Sequence, residues 1–252
     1  ELLQSGPAVI GLFRRKMAVS DVARRIGARG LHVDIARLEE ARSVYADRLL
    51  KGLQEMRSLS GLPHLNPHKN TDLIDVIYRH FGAPITARTA KTRQPVLQAA
   101  LLPRLRPYVP PEGKKFIGAY LEWKSTAKIE STYLRKGHRD NGGRLHGIEI
   151  IDGAVHSIFS VTVADTDRWV SRDPNVQNVP EGDPDDPMSN CRAIYMARPG
   201  MKIYGFDWSA LELRIDAFQS GDQPLINLFQ RDLDLRRQGV PKKGRPDTHR
   251  IN

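Results

Sequence analysis

The sequence predicts an α+β fold, with helices in its first half and mixed helix and strand in its second. Three observations carry this. Apolar residues recur at three- and four-residue steps over residues 34–56 and 71–81; β-branched, alternating stretches with Gly turns occupy 146–163; and helical spacing returns over 211–230. Helices that precede a mixed region suggest two subdomains, with the change falling between residues 110 and 145. The 252 residues are enough to bury a real core, and no internal repeat is present.

In chain order, the first helix begins after Asp34, whose carboxylate can accept from the first free backbone N–H groups. It turns Ile35, Leu38, Ala41, Val44, Tyr45, Leu49 and Met56 to one face. The second, Thr71–Phe81, turns Leu73, Ile74, Ile77, Tyr78 and Phe81 inward and stops at Gly82, which tolerates the left-handed conformation. A Pro-rich turn over 103–111 leads into a third helix near 113–134. Strands follow over 146–163, with Asp152-Gly153 forming a hairpin turn between Ile150-Ile151 and Val155. Residues 181–190 are rich in Pro, Asp and Gly and predict a loop; Met201–Phe206 predicts a short apolar strand. Helices are expected over 211–219 and 223–230, with Asp222 a cap between them, and a basic, Gly- and Pro-broken surface loop over 236–245.

Composition narrows the function classes. A formal net charge of +10 favours polyanionic partners, because neutralising phosphates releases condensed counterions; simple solubility is the bland alternative. One cysteine, Cys191, excludes an internal disulfide framework and a zinc cluster of cysteines, and fits a small buried hydrophobe in a reducing, cytoplasmic setting. No apolar run approaches a membrane span, so no membrane partner is expected.

The chemistry concentrates at Lys202–Arg214. A strand expected to end at Asp207, with a helix starting soon after, would project a carboxylate into the crevice above a sheet, where a hard divalent cation takes oxygen ligands and substrate phosphates complete the shell. On spacing alone the plainer reading, Asp207 starting a turn and Glu212 and Arg214 forming a solvated helix face, is the favoured one.

The pattern of Asp207, Ser209, Glu212, Leu213 and Arg214, followed by Ser220-Gly221-Asp222 and Leu225, resembles the first palm motif of family A (Pol I-like) DNA polymerases, DxSxxELR. Upstream, residues 171–180 (SRDPNVQNVP) resemble that family's SxxPNLQNIP signature, and residues 121–133 (LEWKSTAKIESTY) resemble LEYRxxxKLxSTY. Leu65-Asn66 with Leu73 resembles a thumb segment, and residues 30–34 (GLHVD) resemble the GIxxD that precedes the first long thumb helix. His156, Phe159 and Thr166-Asp167-Arg168 fall at family spacing. The resemblance runs in family order from about residue 15 to 252. It implies a helical thumb followed by a partial polymerase palm, an antiparallel sheet with flanking helices, without fingers. Residues 1–112 would be the N-terminal lead-in and thumb, and 113–252 the thumb-to-palm connection and first part of the palm.

By matching position, the resemblance implies that Asp207 is the catalytic ligand of two Mg²⁺ ions. Ser209, Leu211, Glu212 and His249 would lie at the incoming dNTP, with Glu212 under its sugar. Lys128, Ser131, Thr132, Arg168, Asn175, Gln177 and Asn178 would lie along the primer–template DNA. Asp232-Leu233-Asp234 competes with Asp247-Thr248-His249 for the family's DxH match, and Lys128 taken alone reads as a solvated helix charge.

Departures mark a divergent, viral-type branch: Asp167 replaces Gly, Ala210 replaces Gln, and Trp208 replaces Tyr. The fingers pattern RxxxKxxxFGxxYG and the HDE palm motif are not in these 252 residues. The expected function is therefore part of a DNA-directed DNA polymerase, a nucleotidyltransferase of replication or repair. A C-terminal polymerase portion would supply the fingers and the rest of the palm, and the isolated chain is expected to be inactive. The alternative is a non-catalytic DNA-binding fragment or a subunit of a split polymerase.

Overall fold

The computed structural model describes residues 6–164, 166, 168–206, 208 and 210–241. The chain divides into two compact units, residues 1–201 and 202–252.

Helix α1 (Pro7–Arg29) opens the first unit with Pro at its first turn and ends at Gly30, whose φ is 69°. A side chain at Gly30 would be strained by that φ, and its Cβ would stand 2.7 Å from the His156 ring. Strand β1 (Leu31–Val33) then leads directly into helix α2 (Ile35–Ser60). Asp34 caps α2 as expected, accepting from the Arg37 N–H at 3.0 Å, an interaction worth about 1 kcal/mol. At roughly 1.5 Å per residue, α2 is about 39 Å long and serves two cores.

The C-terminal half of α2 contributes Met56 to a helical core with Leu73, Val76 and Ile77 from α3 (Asn70–Ile74) and the π-helical turn Asp75–His80. Leu102 and Leu105 of α4 (Leu102–Leu105), and Phe116, Ile117, Tyr120 and Trp123 of α5 (Pro111–Ile129), complete it. The N-terminal half of α2 contributes Leu38, Ala41 and Tyr45 to a second core against the sheet.

That sheet is antiparallel, in the order β4 (Ile150–Ile151), β5 (Ala154–Val155), β1, β8 (Tyr195–Met196). Leu31 pairs with Val155 and His32 with Met196, so the segment before α2 is the strand that joins the 150s to the 190s. Asp152 and Gly153 both take positive φ, 51° and 73°, the conformation of a two-residue hairpin turn. Two further ribbons pair β2 (His138–Arg139) with β3 (Leu145–His146), and β6 (Ile158–Ser160) with β7 (Val170–Arg172). Cys191 is buried beside Tyr45, and burial pushes its thiol above the ordinary range, the behaviour of a packing residue rather than a nucleophile.

In the second unit, α6 (Leu211–Ser220) ends at the left-handed Gly221, and α7 (Gln223–Arg237) packs against it. Asp222 caps α7 through the Leu225 N–H at 3.0 Å.

The structure corrects three expectations. Residues 201–206 form no strand: they pair with none of the described strands, and Ile203, Tyr204 and Phe206 are exposed. An apolar run becomes a strand only where its backbone groups find a ladder. Helix α7 does not stop at Gln230 but continues to Arg237, into the segment expected to be loop, because Asp232 and Phe229 are buried within it. Ile35 is exposed, in the first turn of α2 just after β1. Among the described residues, no helix is long and apolar enough to cross a membrane.

Candidate DNA and nucleotide site

Lys128 stands on the last turn of α5, which continues through the π-helical turn Glu130–Leu134 carrying Ser131 and Thr132. The turn is anchored from beneath. Tyr133 and Leu134 are buried in the second core, leaving Lys128 exposed and Ser131 and Thr132 half-buried. Ser131 Oγ donates to the Lys128 carbonyl at 3.2 Å. Arg135 closes the turn with a two-pronged contact to Glu130, at 3.1 and 2.6 Å.

The segment 171–178 is held by two buried hydroxyls. Ser157 Oγ donates to the Pro174 carbonyl at 2.7 Å. Ser171 Oγ donates to Asn175 Oδ1 at 2.9 Å and accepts from the Gln177 N–H at 3.1 Å. Hydroxyls this deeply buried contribute through the hydrogen bonds they satisfy, here by fixing a loop without regular secondary structure. The segment passes through the Asp173–Pro174 cis peptide into a 3₁₀ turn, Val176–Asn178. Tyr133 Oη donates to the Asn178 carbonyl at 2.8 Å, tying this segment to the end of α5.

The two segments meet at one cavity of about 910 Å³, lined by Ser131, Thr132, Arg135, Arg144, Ser171, Arg172 and Asn175, among others. A neighbouring groove of about 680 Å³ shares Ser131 and Arg135 and adds Lys128, Lys124 and His68. The structure thus brings together Lys128, Ser131, Thr132 and Asn175, residues singled out from motifs more than forty positions apart. Gln177, Asn178 and Arg168 are exposed but line neither space.

In the second unit, Leu211 and Glu212 occupy the first turn of α6. Ala210, just before it, takes φ 51° and ψ 43° and offers no side-chain cap. A non-glycine residue there costs roughly 1–2 kcal/mol, so the entry to α6 is held by the packing behind it. That packing is a charged cluster. Asp232 is 2 % exposed and accepts from Arg236 Nε at 2.8 Å, with the Arg214 guanidinium 3.7 Å away. Arg214 also lies over the Phe229 ring, 4.5 Å from its centre. The buried position of Asp232 accounts for the first aspartate of Asp232-Leu233-Asp234 without a substrate. Asp207, Ser209 and His249 lie outside the described residues.

Sequence reasoning missed the β2–β3 hairpin, whose residues supply one wall of the larger cavity. Its signal was present in the run of Arg, Lys and His over 135–146 around Gly142-Gly143.

The family model for DNA polymerase family A matches residues 35–240. DNA polymerase I of Thermus aquaticus is 29% identical over 248 residues, covering 96% of this chain and 28% of that protein. DNA polymerase I of Pseudomonas aeruginosa is 27% identical over 226 residues, covering 88% of this chain and 23% of that protein. Among solved structures, the polymerase domain of Pol1 from M. smegmatis, in complex with DNA primer–template and dNTP, superposes with a TM-score of 0.58 at 25% identity. It covers 80% of this chain and 33% of that one. The chain therefore spans about a quarter of the length of the curated relatives it matches. With matched residues that include α2, the end of α5, the 171–178 segment and α6, the chain belongs to DNA polymerase family A.

Proposed function

We propose that this chain is the thumb and first palm portion of a DNA-directed DNA polymerase, holding primer–template duplex and contributing one catalytic carboxylate, Asp207. The observation that carries the reading is the convergence of Ser131 and Thr132 with Asn175 on one open cavity, whose lining also includes Arg135, paired with Glu130, Arg172, paired with Asp173, and Arg144. Hydroxyl and amide groups beside guanidiniums suit the phosphate and sugar contacts that position a duplex without reading its sequence. Lys128, in the adjoining groove, acts as a point-charge phosphate partner. Arg168, Gln177 and Asn178 extend the surface toward the minor groove, where acceptors common to all base pairs let such groups check pair geometry.

The reaction is nucleotidyl transfer, with Ser209, Leu211, Glu212 and His249 at the dNTP. Two Mg²⁺ ions, when bound, would activate the primer 3′-hydroxyl and stabilise the leaving pyrophosphate. Among the described residues, no group of three His, Cys, Asp or Glu side chains is disposed to hold a metal ion. The second unit exposes Phe206, Trp208 and Phe218, apolar surface of the kind that a further polymerase portion would cover.

Duplex binding by the 252-residue chain tests the reading. Affinity should fall steeply with salt, and Lys128→Ala should reduce the log–log salt slope by about 0.9, one phosphate contact, in a fluorescence-anisotropy titration. A flat salt response in the unsubstituted chain would remove the basis for a phosphate-holding surface.

A further inference from the structure

We propose that the β2–β3 hairpin, residues 136–147, is a second phosphate-binding wall that grips the duplex backbone across the cavity from Ser131 and Thr132. The inference rests on the duplex-binding reading above and adds a site to it.

Charge is the first support. Residues 135–146 hold four cations, Arg135, Lys136, Arg139 and Arg144, against one carboxylate, Asp140. Of these, Arg135 is committed to Glu130 and Arg139 to Glu149, at 2.6 and 3.1 Å. Lys136 and Arg144 are exposed, and among the described residues neither side chain is held in an ion pair, which leaves their charge directed at solvent or at a ligand.

Rigidity is the second. The hairpin is built, not draped. Asp140 Oδ1 accepts the Gly142 and Arg144 N–H groups, both at 3.0 Å, and Asp140 Oδ2 lies 3.0 Å from His146 Nε2. The His146 contact, with the backbone donors, holds the Asp140 carboxyl below the usual carboxylate range. The His138 and His146 rings stack at 5.4 Å and 19°. At its base, the Gly137 N–H donates to the Ile148 carbonyl at 2.7 Å, and the Ile148 N–H to the Arg135 carbonyl at 2.9 Å. Gly147 approaches that strand so closely that a Cβ there would stand 2.5 Å from the Arg135 carbonyl oxygen. A preorganised cationic wall loses little conformational entropy on binding, unlike a flexible basic tail.

Position is the third. His138, Arg144 and His146 line the same cavity as Ser131, Thr132 and Asn175. A sugar–phosphate backbone seated on those residues meets Arg144 of the hairpin in the same space. The ligand is the sugar–phosphate backbone of double-stranded DNA, bound without regard to sequence.

The test is a salt titration of duplex binding by the 252-residue chain carrying Arg144→Ala, the cation of the hairpin that lines the cavity. The residue is exposed and its side chain makes none of the hydrogen bonds that shape the hairpin, so folding should be preserved, checked by circular dichroism. The log–log slope should fall by about 0.9, one phosphate contact. A charge-matched control, Lys91→Ala elsewhere on the first unit, should keep the parent slope. An unchanged slope in the hairpin variant, while Lys128→Ala still lowers it, would overturn the hairpin assignment and leave the duplex-binding reading standing. Equal losses in the hairpin variant and the control would also overturn it, showing only an effect of net charge. Absence of any duplex binding by the parent chain would overturn both.

Discussion

Asp207→Ala, in a polymerase completed by the fingers and the rest of the palm, is expected to lower primer extension by about three orders of magnitude. Metal-ion stabilisation of a transferring phosphoryl group is worth several kcal/mol, and each 1.36 kcal/mol is about a decade in rate. Losing one of the carboxylates that hold the ions should forfeit most of that. The loss should fall on chemistry alone. Lys128, Ser131, Thr132 and Asn175 belong to the first unit, whereas Asp207 belongs to the second, so duplex affinity should stay within about twofold of the parent. Single-turnover incorporation and anisotropy on the same preparation separate the two quantities. Extension within tenfold of the parent enzyme would remove Asp207 from the chemistry.

Asp232→Ala carries the second large effect, on stability. Its carboxylate is buried in α7 and engages Arg236 and Arg214, and Arg214 sits on Phe229. Removing the acid takes a buried acceptor away from two guanidiniums. The cost should be about 3 kcal/mol, the low end for breaking a buried pair, because Arg236 and Arg214 are partly exposed and keep some hydration. Because α6 begins at a strained Ala210 and is braced through Arg214, the first turn bearing Leu211 and Glu212 should loosen with it. Native-state hydrogen exchange should show protection of α6 and α7 amides falling by roughly two decades, while α2 and α5 are unaffected. Undiminished protection in α6 would show that Arg214 does not brace that helix.

Much of this was legible in the sequence, for identifiable reasons. Asp34, Asp222, Gly82 and Asp152-Gly153 act within a few residues of themselves, so their local chemistry predicted the cap or turn that the structure has. The apolar faces of α2 and of the 71–81 helix follow from period alone, and Leu38, Tyr45, Met56, Leu73 and Ile77 are buried. What failed depended on distant partners. Residues 201–206 are a short, mostly apolar run of the kind that forms strands, but a strand exists only with a ladder, and they pair with none of the described strands. The extension of α7 to Arg237 depends on Asp232 finding Arg214, eighteen positions earlier and on another helix. Helix α1 went unassigned although Pro7 and Gly30 mark its ends; its Leu12, Phe13, Met17 and Ile26 are exposed, so its apolar residues do not form a buried stripe.

The candidate site shows the same division. Motif resemblance singled out Ser131, Thr132 and Asn175, but only the fold shows that Tyr133, reaching the Asn178 carbonyl, holds their two segments together. The hairpin's turn could have been read from Gly142-Gly143, but nothing in a run of Arg, His and Gly says which face of the molecule it will line.

In the proposed function this chain supplies the DNA-holding surface and Asp207, and a further polymerase portion completes the site. Primer extension with Mg²⁺ and dNTPs tests it most directly, comparing the 252-residue chain alone with the same chain joined to a C-terminal portion bearing the fingers and remaining palm. The chain alone should bind the primer–template and extend it by no detectable nucleotide, and the joined enzyme should extend it. Robust extension by the 252-residue chain alone would contradict the account.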